Sequence, residues 1–137
     1  MCKELKISLP LYVHTTKSNT QKGKFILNLN NYRNCHFIKL NKAKTEYARI
    51  VKEIVKDFEK METAELEYKY FAKTKGKIDV SNPCSIIDKF TCDALTEIGL
   101  WEDDDIKTVK SVKYIWGGVD KDNPRCELKC KNTSKIT

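Results

Sequence analysis

Two short segments of this chain hold carboxylates of the kind that cation-assisted phosphodiester cleavage uses. One is Asp79-Val80-Ser81-Asn82, and the other is Glu102-Asp103-Asp104-Asp105, directly after Trp101. Asp88, Lys89 and Asp93 lie between them. Carboxylates repel the phosphates of nucleic acid. A nuclease tolerates them because Mg2+ neutralises them and bridges to the scissile phosphate. Bound Mg2+ also polarises the phosphoryl group and lowers the pKa of an attacking water.

The charge distribution supports this chemistry. The 137 residues carry a net charge of +7, but the charge is not spread evenly. Residues 1–44 hold nine Lys or Arg and one acid. Residues 45–78 are nearly balanced, with eight bases and seven acids. Residues 79–105 reverse the sign, with eight acids and one base, Lys89. Residues 106–137 return to eight bases and three acids. A compact acidic block inside a basic chain reads either as a solvated face or as a cation site within a polyanion-binding surface.

Elements must position these groups. Residues 5–13 and 25–29 read as strands, with Pro10 marking an edge or a bulge, and 14–24 as a loop or hairpin connection. The Asn-rich, basic segment 30–42 reads as an ordered polar loop near a ligand. Tyr47, Val51, Ile54, Phe58 and Met61 recur at helical spacing and predict a helix over 43–61. Leu66, Tyr68 and Tyr70 alternate with Glu65, Glu67 and Lys69, which predicts a strand over 65–73. If it stays extended toward Asp79, then Lys73, Lys75 and Lys77 line the approach to that carboxylate.

Asn82 as N-cap and Pro83 in the first turn start a second helix, with Ile87, Phe90, Ala94 and Ile98 buried and Gly99 as the stop. Strands follow over 107–116 and 125–131, and Gly117-Gly118 begins their connection. The expected architecture is a single α+β domain over residues 1–137: a mixed β-sheet with two main helices packed on it. A helix of about 15 residues spans roughly 22 Å. The acids at its two ends therefore share a cation only if residues 100–105 fold back along it, with Asp88 and Lys89 as the meeting point.

The ordered series Asp79-Val-Ser-Asn82, Lys89, Asp93-Ala94-Leu95, Gly99, Trp101 and Asp103-Asp104 resembles the signature of RusA-type Holliday-junction resolvases. Leu29-Asn-Asn-Tyr-Arg-Asn34 and Asn41-Lys-Ala-Lys44 are similar to the Asn-rich opening of phage members. The resemblance implies a RusA-like fold and a homodimeric, Mg2+-dependent endonuclease that resolves four-way DNA junctions by paired nicks. It implies Asp79 and Asp104 as metal ligands and Lys89 as the basic catalytic residue. Ser81 stands where the family has a second acid, and the segment from Asn82 to Lys89 is about one helical turn longer. That turn brings Asp88 beside Lys89, where it substitutes for the missing acid and joins the metal and catalytic set. The alternative is a DNA-junction-binding protein with a degraded metal site.

Other readings stand beside these. Asp79 also suits a turn or cap, Asp93 a structural role beside Lys89, and Asp103 and Asp105 solvated turns. Trp101 and Trp116 read as core residues rather than DNA-stacking platforms, and His36 as phosphate-facing or packed. Phosphate contacts are expected first from Arg33, Lys39, Lys42 and Lys44, then from Lys73, Lys75 and Lys77. The six cysteines include no Cys-x-x-Cys pair, so buried or surface thiols outweigh zinc or disulfides. Without an export signal or a membrane-spanning stretch, the expected compartment is the cytoplasm.

Overall fold

The computed structural model describes residues 4–16, 23–76 and 79–134. The chain runs through β1 (Glu4–Leu9), β2 (Tyr12–His14), β3 (Lys24–Ile26), α1 (Leu29–Asn34), α2 (Phe37–Ile54), β4 (Ala64–Ala72), α3 (Ser81–Ile98), β5 (Val109–Val119) and β6 (Arg125–Asn132). Four strands form one mixed sheet in the order β1-β6-β4-β5. β4 and β5 are parallel, whereas β6 is antiparallel to both β1 and β4. Parallel neighbours need a crossover, and α3 supplies it. β2 and β3 form a separate antiparallel pair. Pro10 separates β1 from β2, so the single strand expected over 5–13 is two short ones.

The alternation in β4 places side chains as expected. Leu66 and Tyr68 are buried, while Glu65 and Lys69 face outward. Cys126, Leu128 and Cys130 of β6 point to the same buried side, and both cysteines are inaccessible. α3 covers this face with Cys84, Ile87, Phe90, Ala94 and Leu95, all buried. Each large apolar side chain so buried contributes roughly 1.5–3 kcal/mol. α2 packs beside α3 through Ala43, Tyr47 and Val51. The Tyr47 and Thr91 hydroxyls meet at 2.6 Å inside this contact. Gly99 ends α3 at φ 88°, in the left-handed region that glycine enters without a Cβ penalty. Among the described residues, no helix is long and apolar enough to cross a membrane.

Several expectations change. The 30–42 segment is helical, divided between α1 and the start of α2, rather than a loop. Its helices are set by caps: Asn28 accepts from the Asn31 N–H at 2.8 Å, and His36 Nδ1 accepts from the Ile38 N–H at 3.2 Å. The helix predicted over 43–61 instead spans Phe37–Ile54, and Phe58 is exposed. β3 ends at Ile26, because Leu29 already belongs to α1. β4 ends at Ala72 and the chain bends at Lys73, Thr74 and Gly76. The extended lysine face leading to Asp79 therefore does not form; Lys77 lies outside the described residues. Gly117 and Gly118 lie within β5 rather than in its connection to β6. Gly117 bulges out of register, and a Cβ there would come within 2.8 Å of Lys69 and Phe71 side-chain atoms.

Thr91→Val keeps the volume of a fully buried side chain but leaves the Tyr47 hydroxyl without its partner. Urea denaturation should show a loss of about 1–3 kcal/mol. Adding Tyr47→Phe should recover part of it, because the orphaned hydroxyl is then gone.

Candidate functional site

Asn82 joins the segment that opens α3 to the Asn-rich segment that opens α1. Its side-chain oxygen does not cap its own helix. It accepts from the Leu29 N–H at 3.0 Å and so holds the start of α1 against the start of α3. Asp79 takes the local role instead: its Oδ1 accepts from the Ser81 N–H at 3.1 Å and from the Ser81 hydroxyl at 2.8 Å. Ser81 is thus a donor to Asp79.

Tyr32 of α1 lies over α3, 6.4 Å from the Phe90 ring. Two ammonium groups approach the Tyr32 ring, Lys44 at 5.8 Å and Lys89 at 5.9 Å from its centroid. Among the described residues, neither lysine forms a salt bridge, and neither does Arg33 at the end of α1. The 89–93 pair considered from sequence does not form. Lys42 and Lys44 also line a groove of about 1020 Å³ between α2 and α3, with Phe90 and Ala94 in its wall. His14 lines the same groove, and its buried Nδ1 has no hydrogen-bond partner among the described residues. Lys39 lies half-buried in the first turn of α2, while Lys73 and Lys75 are exposed beyond β4.

The face of α3 turned to the sheet carries Asp88. Its Oδ1 accepts from the Tyr68 hydroxyl at 2.7 Å and from the Cys92 thiol at 3.2 Å, and its Oδ2 accepts from the Tyr114 hydroxyl at 3.1 Å. Burial pushes the Tyr68, Tyr114 and Cys92 groups well above their usual ranges, and the Asp88 charge adds to the effect. All three therefore stay protonated and donate to Asp88. Sequence reading missed Tyr68 and Tyr114 as site residues. Their only signal was the period-two pattern of two strands, and their meeting depends on the β4–β5 register.

After α3 the chain does fold back. Leu100 and Trp101 are buried, and the Trp101 indole N–H donates to the Thr96 hydroxyl at 2.7 Å. This return brings Asp104 within range of the Asp93 charge. Partial burial raises the Asp104 carboxyl first; the hydrogen bond with Asp103 and the charges of Asp93 and Asp103 raise it further. Asp79, Asp88 and Asp104 do not converge. Among the described residues, no group of three or more His, Cys, Asp or Glu side chains is placed to hold a metal ion. The length of α3 explains why: its 18 residues span about 27 Å. The acids whose charges reach Asp104 are Asp93 and Asp103, and burial outweighs both in its shift.

His36 is a helix cap stacked on Phe37, with ring centroids 4.6 Å apart. Trp101 is core as expected. Trp116 is not: it is 43% exposed and stacks on Tyr70 at 6.4 Å. The chain matches no family model and no curated protein at a significant level of similarity.

The Asp104 shift has a definite sign. A carboxyl raised in the folded state makes the fold bind more protons, so stability falls as pH rises from its ordinary 3.8 through the folded value. Asp104→Asn should therefore melt higher than the parent at pH 7. The difference should shrink as pH is lowered toward 3.8, read as melting temperature against pH.

Proposed function

We propose that this chain is a RusA-like, Mg2+-dependent endodeoxyribonuclease that resolves four-way DNA junctions by paired nicks. The observation that carries this reading is the Asn82–Leu29 hydrogen bond. It sets the acidic segment that opens α3 beside the basic α1–α2 segment. These are the two stretches whose residues resemble the family. Lys44 and Lys89, at 5.8 and 5.9 Å from the Tyr32 ring centroid and without a salt bridge among the described residues, are suited to hold a phosphate.

The three-carboxylate set taken from the resemblance does not fit a cation as placed. Asp104, which lies within range of the Asp93 charge, is the acid left to receive one, with Asp93 beside it. Mg2+ is commonly held by one or two carboxylates, with phosphate oxygens and waters completing its shell. When bound, it would polarise the phosphoryl group and activate a water. Asp104 and Asp93 would hold it, and Lys89 would steady the phosphate. Asp79 and Asp88 complete the carried-over set. Arg33, Lys39, Lys42, Lys44, Lys73 and Lys75 would contact the backbone of the arms. A homodimer would present two sites to the two equivalent strands of a junction.

A second reading, a junction-binding protein without cleavage, is favoured by one observation. Both oxygens of Asp88 are already engaged by protein donors, and no three-ligand group is assembled among the described residues.

A labelled four-way junction separates the two. The nuclease reading expects paired nicks only with Mg2+, reduced about 100-fold or more in Asp104→Asn and in Lys89→Ala. Mg2+ should also raise the melting temperature of the parent and not of Asp104→Asn. Junction binding without nicks at any Mg2+ concentration would sink the nuclease and leave the second reading.

A further inference from the structure

β5 presents an aromatic surface that the helices do not cover. Val112, Tyr114 and Trp116 pair in register with Leu66, Tyr68 and Tyr70 of β4, so both sets share the α3 side of the sheet. The β4 residues Leu66 and Tyr68 are 2% and 0% exposed, because α3 lies over them. Their β5 neighbours stay open: Val112 is 41% and Trp116 43% exposed. Trp116 and Tyr70 stack at 6.4 Å with an interplanar angle of 29°. Exposed lysines lie nearby in the chain on either strand. Lys73 and Lys75 follow β4 just beyond Tyr70, and Lys110 precedes Val112 on β5. The Tyr114 hydroxyl ties β5 to Asp88 of α3 at 3.1 Å.

We infer that the Trp116–Tyr70 pair is a stacking platform for an unpaired nucleobase of a DNA strand, with Lys73 and Lys75 taking its flanking phosphates. Stacked aromatic faces with lysines nearby in the chain match a strand that offers a π-face and a phosphate at each nucleotide. Base pairs inside a duplex hide those faces; a branch point exposes them. The inference rests on the DNA-directed reading above and adds a subsite to it.

The test is equilibrium binding in EDTA to a dye-labelled oligothymidine single strand and to a labelled duplex of equal length, followed in every variant by anisotropy of the dye and in the parent also by tryptophan emission. Trp101 is 1% exposed, so Trp116 is the reporter. Single-strand DNA should quench that emission more than duplex does. Trp116→Leu should bind the single strand roughly tenfold more weakly, with duplex affinity changed by less than about twofold, whereas Trp116→Phe should keep most of the affinity. Melting curves of both variants control for folding, and the Phe variant tests the platform even if the Leu variant is destabilised.

Equal single-strand affinity in parent, Leu and Phe variants would overturn the inference. So would an emission change that follows protein concentration and ignores DNA, which would assign the face to a second copy. No cutting is scored and no metal is present, so failure of the nuclease reading leaves this result intact. A cleaving protein whose Leu variant binds normally would remove the platform alone.

Discussion

The length and burial of α3 govern where every candidate group in this protein lies. The helix is 18 residues long, and its apolar side chains sit on the centre of the sheet, over β4 and β6. Burial of Ile87, Phe90 and Leu95 leaves no freedom to rotate the helix about its axis. Residues at its first turn, its middle and its end are therefore held at fixed separations. Asp79 lies before the first turn, Asp88 in the middle, and Asp104 returns only as far as Asp93. A helix that serves as the spine of a small core cannot also gather its ends around one ion.

The same helix sorts charge by direction. Consecutive residues differ by about 100° around a helix axis. Asp88 therefore turns to the strands and meets Tyr68 and Tyr114, while Lys89 turns to α1 and meets Tyr32. A half-buried carboxylate is stable in this position because three protein donors satisfy it. A lysine over an aromatic ring keeps its ammonium available to an incoming anion. Acid and base thus remain adjacent in sequence without neutralising each other.

The elements that departed from expectation did so for identifiable reasons. The 30–42 segment has no buried apolar period, since Phe37 and Ile38 remain 66% and 52% exposed. Its helices are started by hydrogen bonds from Asn28 and His36, which a search for hydrophobic spacing does not detect. Trp116 was expected in the core because large apolar residues usually are buried. It lies on β5, at the sheet edge beyond the cover of α3, where alternation alone does not tell covered from open. Asn82 was read as a cap because Asn before Pro suits that role. It instead caps the N-terminal end of another helix, 53 residues distant in sequence.

Local pattern was enough to establish the α+β class, the inward side of β4, the two long helices in outline and the stop at Gly99. These depend on period, propensity and backbone freedom, which act between near neighbours. It was also enough to mark the acidic block and the basic N-terminal third, since charge is read residue by residue. Only the tertiary structure decided which of those charges meet. The β4–β5 register brought two tyrosines to Asp88, and the rigid span of α3 kept Asp79, Asp88 and Asp104 apart. Such distances follow from how elements pack across the core, and no spacing along the chain encodes them.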